Sequence, residues 1–519
     1  MKTEQNIENT NTESSELELE QLQITEFNFD VERDNHLHPD ITVSNAINGF
    51  TTSFVSSCDA RDGTFNTRPL SELGNAQRLE DKLKYDVYYV SDARVWLHWD
   101  GCAWTWCLGG AKIRTHAADL HRKIYNEASS HLDQSELYVK WSRRSQNERT
   151  IAASVSLLKD IEDMQLLSSL IDADLFQVGF NDASQVINLK TGYYQPAKRE
   201  DFITKTLNIR YLGTSAKAVK WQLFLEQIFN GDKELIDWIK RWCGYLLTGS
   251  TSEHVFIFCY GLGANGKSVF AETIKFILGD YARAIASETL TASKRSAGGA
   301  SPDLMDLIGA RLVICSETED NATLAESLIK GLVSGDSMTA RKLFSDPIQF
   351  IPQFKLMMMG NHKPTIKGND YGIWRRTRLI PFSRTFTAQE RDPKLLSKLK
   401  YEAPHIMAWM VEGCLDWRKR GLRDTPASVK LATSEYQEEE DILGNWLLEC
   451  CILSFNNREL ANELHNSYKK WCEINGFPNM NSNMFGRSMS ERGFIKKKSN
   501  GKTAWQGIEL NQENKPKQK

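Results

Sequence analysis

Apolar residues are sparse up to about residue 75, and two different periods follow. From Tyr85, YDVYYVSDARVWLHWDGCAWTW alternates at period two around Asp100-Gly101, which predicts a β-hairpin. Residues 111–170 shift to the wider spacing of amphipathic helices (AADLHRKIYNEAS, TIAASVSLLKDIEDMQ). FQVGFNDASQVINLKTGYYQP then reads as strand, turn and strand, and WQLFLEQIFNGDKELIDWIKRWCGYLLTG as helix. Three largely apolar runs, VFIFCY (255–260), RLVICS (311–316) and FKLMMMG (354–360), predict strands buried on both faces, the mark of a parallel sheet. Near the end, ELANELHNSYKKWCEINGF and SNMFGRSMSERGF predict two helices, and IKKKSNGKTAWQGIEL a strand pair. Helix, helix and basic hairpin outline a winged helix.

Charge changes this picture mainly at the two ends. The whole chain of 519 residues has net charge −3, with 41% hydrophobic and 25% charged residues, which excludes bulk attraction to nucleic acid or an anionic membrane. The first 40 residues hold eleven acids against Lys2 and Arg33, so this end is expected to be a disordered acidic tail. From residue 466 the balance is +7. The ten cysteines show no CxxC pair and read as reduced, mostly buried thiols. No signal peptide or apolar span is apparent, so a cytoplasmic protein with no membrane partner is expected. Trp96, Trp99, Trp104 and Trp106 suit either a stacking platform for single-stranded DNA or, the favoured reading, the core side of a hairpin.

Candidate chemistry concentrates in residues 261–376. Gly261-Leu-Gly-Ala-Asn-Gly-Lys-Ser268 matches the phosphate-binding pattern GxxxxGK[ST] between a buried strand and an amphipathic helix ending at Gly279. Gly261, Gly263, Ala264, Asn265, Gly266, Lys267, Ser268 and Val269 are the expected nucleotide cradle: backbone N–H groups converge on phosphate at a helix N-terminus. Lys267 reaches the β- and γ-phosphates of ATP, and the Ser268 hydroxyl ligates Mg²⁺. The second strand ends in Glu317, 49 residues after Ser268, where a carboxylate can polarise water or hold the Mg²⁺ hydration shell; Glu319 and Asp320 follow closely. The third strand ends in Asn361, an amide able to hold the lytic water. Arg375 and Arg376 are cations able to stabilise charge on the transferred phosphoryl group.

These motifs resemble the superfamily 3 helicases, AAA+ ATPases of small viruses, phages and plasmids, and most closely the phage/plasmid and poxvirus primase–helicases. The resemblance rests on GLGANGKS, SPDLMDLIGARLVICSE, LIKGLVSGDSMTARKLF, FKLMMMGNHKP and GIWRRTRLIPF, with weaker similarity over roughly residues 85–510. It implies a catalytic role for Lys267, Glu317 as catalytic acid and Mg²⁺ ligand beside Ser268, Asn361 as γ-phosphate sensor, and Arg376 or Arg375 as a finger acting on the adjacent subunit's ATP. It also implies that the segment with Lys330, Arg341 and Lys342 leads into a channel hairpin that grips single-stranded DNA, with Lys342 near its tip. The implied fold is α/β: an AAA+ P-loop core, an N-terminal α+β helicase-associated domain and a C-terminal winged helix whose basic face, Lys496, Lys497 and Lys498, meets DNA.

The expected organisation is an acidic tail over 1–75, the helicase-associated domain over 76–235, the ATPase over 236–400, a helical linker over 401–445, the winged helix over 446–511 and a basic tail over 512–519. The resemblance implies a DNA helicase of a mobile element or phage in a bacterial host. It would be a homo-oligomer, expected to be hexameric, acting on single-stranded and forked DNA with a separate primase or polymerase; an AAA+ initiation loader that does not unwind is the alternative. Ser316 stands where many superfamily members have the first of two acids. Asp172-Ala-Asp174 lies in the region resembling the helicase-associated domain, so no primase activity is expected.

Overall fold

The computed structural model describes residues 68–181, 185–207, 209–291, 301–316, 322–341, 347–366, 371–499 and 501–511. Glu317 and Lys342, residues 1–67 and the basic tail 512–519 lie outside the described residues. Helix Glu72–Leu83 starts earlier than the expected boundary at 75, because the Ser71 hydroxyl accepts the Gly74 N–H and caps it.

The first lobe is a four-stranded sheet in the order Trp104–Cys107, Val95–Trp99, Val87–Val90, Gln165–Leu166, backed by helices Glu72–Leu83, Ala111–Lys123 and Glu148–Leu158. The expected hairpin pairs Trp99 with Trp104. The Asp100 carboxylate accepts the N–H groups of Cys102 and Ala103, both at 2.8 Å, and Gly101 takes the positive φ of +104° that the turn demands. Trp96 and Trp104 are 3% and 1% exposed, as the core reading required, whereas Trp106 stays 38% exposed. A second small sheet, Tyr194–Pro196, Gln185–Asn188, Gln177–Phe180 and Thr206–Leu207, realises the strand–turn–strand pattern. The acids of the DxD string hold backbone in place: Asp172 accepts the Thr204 N–H at 2.8 Å and Asp174 that of Phe176 at 2.8 Å.

The central sheet has five parallel strands in the order Ala282–Ile285, Leu312–Ser316, Lys355–Gly360, Phe256–Tyr260, Thr377–Pro381. Its strands alternate between two cores, which is why they read as continuous apolar runs. Ile257, Ile314 and Met357 face a core shared with helices Val219–Ile228, Lys233–Leu246, Lys267–Leu278 and Ala403–Arg420. Phe258, Val313 and Leu356 face the other, with Ile329 and Leu332 of helix Glu326–Ser334. Trp221, Trp238 and Trp242, each 0% exposed, anchor the first core. At roughly 150–250 Å² of buried surface apiece, each favours folding by about 4–6 kcal/mol before the cost of ordering.

Two buried cations fasten this core to its neighbours. Lys355 donates to Thr248 O and to Ser250 O (3.3 Å), satisfying carbonyls just beyond helix Lys233–Leu246. Burial holds its ammonium well below the usual lysine range. Arg311 donates to Leu247 O and to Gln177 O (2.7 Å), tying the second small sheet to the central one.

The C-terminal portion runs helix Ile442–Cys450, strand Cys451–Leu460, helices Ala461–Asn475 and Ser482–Glu491, then strands Ile495–Ser499 and Lys502–Leu510. The expected two helices and hairpin are present. The leading strand, whose exposed CILSFNNREL lacks alternation, completes a three-stranded antiparallel sheet in the order Cys451–Leu460, Lys502–Leu510, Ile495–Ser499. No helix among the described residues is long and apolar enough to cross a membrane, and the nine described cysteines are all free thiols.

Candidate nucleotide-binding site

Strand Phe256–Tyr260 delivers the chain to the C-terminal edge of the central sheet, and residues 261–266 turn it into helix Lys267–Leu278. Gly263 and Gly266 have φ of +101° and +89°. A Cβ on Gly266 would lie 2.6 Å from Ile228 Cγ2, so both the turn and the packing require glycine there. Ala264 adopts φ +48° without glycine's freedom, and its carbonyl accepts the Phe386 N–H at 2.8 Å. Asn265 is buried and bridges the loop to Phe382 O at 3.3 Å.

The loop borders a cleft of about 450 Å³. Gly263 to Val269 line one side, and Ser316, Met359, Gly360 and Asn361 of the neighbouring strand ends line the other. Lys267 is 7% exposed; its ammonium donates to Gly261 O and, at 3.0 Å, to Asn361 Oδ1. Burial lowers its pKa from the ordinary lysine value. A buried cation held by two neutral oxygens has no counter-charge, so an anion in the cleft is its natural partner. Ser268 is exposed on the first turn of the helix, where its hydroxyl can meet a phosphate-bound cation. Among the described residues no cluster of three or more His, Cys, Asp or Glu could hold a metal by itself.

The remaining expected residues lie elsewhere. Arg375 is exposed, and Arg376 donates to Gly372 O at 2.8 Å and Ser334 Oγ at 2.7 Å; neither lines the cleft. Lys330 pairs with Glu326 at 3.7 Å on its own helix. Arg341 follows strand Met338–Ala340, which pairs antiparallel with Ile348–Phe350 as the expected hairpin. Lys496 and Lys498 share one strand face and Lys497 takes the other; Lys496 lies over the Trp505 ring, 5.7 Å from its centroid.

Sequence reasoning missed an adjoining cavity of about 540 Å³. Leu223, Phe224 and Gln227 wall it on one side, Phe386, Arg391 and Leu395 on the other, and it meets the phosphate loop at Ala264, Gly266 and Val269. The signal lay in the apolar face of WQLFLEQIF, which was read only as a lead-in helix. Glu402 caps that helix, accepting the N–H groups of Lys220 (3.0 Å) and Trp221 (2.8 Å).

Residues 76–230 match the D5 N terminal like family, residues 259–376 a family of unknown function (DUF5906), and residues 439–517 the poxvirus D5 protein-like family. "Putative helicase L207/L206" of Acanthamoeba polyphaga mimivirus is 28% identical over 327 residues, covering 59% of this chain and 34% of that protein. "Putative helicase 022R" of Frog virus 3 is 29% identical, covering 44% and 25%. "Putative primase C962R" of African swine fever virus (isolate Tick/Malawi/Lil 20-1/1983) is 27% identical, covering 46% and 27%. The chain thus spans about a third or less of the length of these relatives. Among solved structures, the NrS-1 C terminal region in its A form superposes with a TM-score of 0.46 at 10% identity, covering 77% of this chain and 80% of that one. With D5-type segments toward both ends and helicase- and primase-named viral relatives, the chain resembles the D5-type primase–helicases.

Proposed function

We propose that this chain is an ATP-driven DNA helicase of a viral or other mobile-element replication system, with an AAA+ core and a C-terminal winged helix. The observation that carries the reading is the Lys267–Asn361 contact across the phosphate cleft. A phosphate-loop lysine and a polar residue from the adjacent strand tip meet where a γ-phosphate would sit. The strand order of the central sheet supports an AAA+ core, and the helix–strand–helix–helix–strand–strand order of residues 442–510 supports a winged helix.

In this reading the loop amides and Lys267 hold the ATP phosphates, and the apolar cavity beside the loop takes the base between Phe224 and Phe386. Asn361 turns from Lys267 to the attacking water as the phosphate arrives, and Glu317 polarises that water. Mg²⁺, when bound, neutralises phosphate charge near Ser268 and Glu317. Arg376 or its neighbour Arg375, both outside their own cleft, serves the nucleotide of the next subunit, so hydrolysis depends on a ring, which we take to be hexameric. The hairpin bearing Arg341 and Lys342 and the basic strand Lys496–Lys498 supply contacts to single-stranded and forked DNA.

The deciding experiment is strand displacement on a forked duplex, with electron microscopy of the same sample bound to an ATP analogue. Rings that unwind with ATP, and lose unwinding in Lys267→Ala, are expected. DNA-stimulated hydrolysis with no displaced strand would assign the protein to loading, and full hydrolysis by a monomer would refute the shared site.

A further inference from the structure

Away from the phosphate loop, a cavity of about 300 Å³ opens in the first lobe. Tyr89, Val95 and Trp96 of the sheet and Val155 of helix Glu148–Leu158 make its apolar wall, and Gly109 and Gly110 form its rim. Three cations also line it. Arg94 comes from the turn before strand Val95–Trp99, Arg114 from the first turn of helix Ala111–Lys123, and Lys159 from the end of helix Glu148–Leu158. The carboxylate on this set is Glu148, 2.9 Å from Arg114 and 82% exposed. Among the described residues Arg94 and Lys159 have no carboxylate partner; the Lys159 ammonium lies 5.2 Å from the centre of the Tyr89 ring.

The apolar wall also carries a donor. Trp96 is 3% exposed and packs 5.0 Å from Tyr89, with its indole N–H on the side of Gly110. A Cβ on Gly110 would come within 3.4 Å of that nitrogen and 3.1 Å of Trp96 Cδ1, so glycine keeps the approach open. Gly110 is also the N-cap of helix Ala111–Lys123 and offers no side-chain acceptor to its first amides.

We propose that this cavity binds one nucleotide unit, its phosphate on Arg94, Arg114 and Lys159 and its base against Tyr89 and Trp96. The combination of groups selects this class. Inorganic phosphate would use the cations but not the aromatic wall, and an apolar ligand would leave Arg94 and Lys159 uncompensated. The volume sits at the small end of ligand sites, enough for one nucleotide and not for a longer strand. The unit comes either from single-stranded DNA threading past the lobe or from a free nucleoside phosphate; the chemistry is the same.

Photo-crosslinking of the full chain tests this independently of the phosphate loop, because the attachment point is mapped by mass spectrometry. The probes are a short oligothymidylate carrying one 5-iododeoxyuridine and, separately, free 5-iododeoxyuridine triphosphate. Crosslinks are expected in the peptide containing Tyr89 and Trp96, and should persist in Lys267→Ala. Oligonucleotide labelling alone identifies a strand site, and labelling by the free nucleotide identifies a mononucleotide site. Arg114→Ser combined with Lys159→Ser should cut the yield at least fivefold. Arg94→Gly, which suits the φ of +54° at that position, should do so without straining the turn. No label on this peptide from either probe, or equal yield in the charge variants with an unchanged melting curve, would overturn the assignment.

Discussion

Arg376 donates to the Ser334 hydroxyl at 2.7 Å, joining the turn before the edge strand Thr377–Pro381 to the last residue of helix Glu326–Ser334. Four residues beyond Ser334 the chain enters the hairpin that leads to Arg341. Arg375 next door is exposed. Of the two adjacent arginines, one is braced within its own subunit and one is available to another.

That difference separates the two by experiment. Arg375→Ala should lose at least tenfold in ATP turnover of the assembled protein with an unchanged melting temperature. Arg376→Ala should also destabilise the fold by about 1.5–3 kcal/mol, the range for a lost charged hydrogen bond. Paired ATPase and denaturation measurements check this. Equal destabilisation by both substitutions would remove the distinction.

The Asn361 amide oxygen accepts from the Lys267 ammonium at 3.0 Å, and in the proposed site it turns to the attacking water, so its loss should act on turnover more than on nucleotide capture. Asn361→Ala is expected to lower kcat by roughly 10²–10³, the range for one transition-state donor, with KM for ATP within about threefold. Steady-state kinetics decide it; a large rise in KM at constant kcat would make Asn361 a ground-state binder.

The exposed lysines of strand Ile495–Ser499 make a graded prediction. If Lys496, Lys497 and Lys498 contact phosphates, each alanine substitution should weaken DNA binding regardless of sequence and flatten the log–log salt dependence by about 0.9. Because strand geometry places Lys497 on the opposite face from the other two, the substitutions should not be equivalent. Titrations at several salt concentrations measure both effects. Three identical slopes equal to wild type would take this strand off the DNA.

The parallel sheet and phosphate loop were legible because buried strands write continuous apolar runs, and because a strand–glycine–helix junction tolerates few other sequences. The hairpin at Asp100-Gly101 was legible for the same local reason. The cavity beside the loop was not: Phe224 and Phe386 stand 162 positions apart in the chain, and only tertiary packing makes them two walls of one space. Strand Cys451–Leu460 was missed because its residues are mostly exposed and its pairing shifts register between Leu453 and Arg458, which erases alternation. The role of Arg376 could not be read either, since its partner Ser334 lies 42 positions away and is identified by geometry.

His121 provides the pH prediction. It is fully buried in the first lobe; Nδ1 donates to Ser145 O at 2.9 Å and Nε2 lies 3.3 Å from Ser154 Oγ. Burial lowers its pKa below the ordinary 6.5 and outweighs the Ser145 carbonyl, with nearby Arg78 adding a smaller effect in the same direction as burial. The unfolded chain therefore takes up a proton at this residue before the folded one does. Above about pH 7 both states are neutral and the residue contributes no pH dependence. Below about 6.5, stability falls as pH falls, by at most about 1.4 kcal/mol per pH unit until the folded residue also protonates. His98 and His116 are lowered by burial too and add the same sign. His121→Asn keeps a donor for Ser145 O and removes the titration, so its melting temperature should fall less steeply than wild type between pH 7 and 5. Parallel acid slopes for the two proteins would show that the imidazole is already charged in the folded lobe.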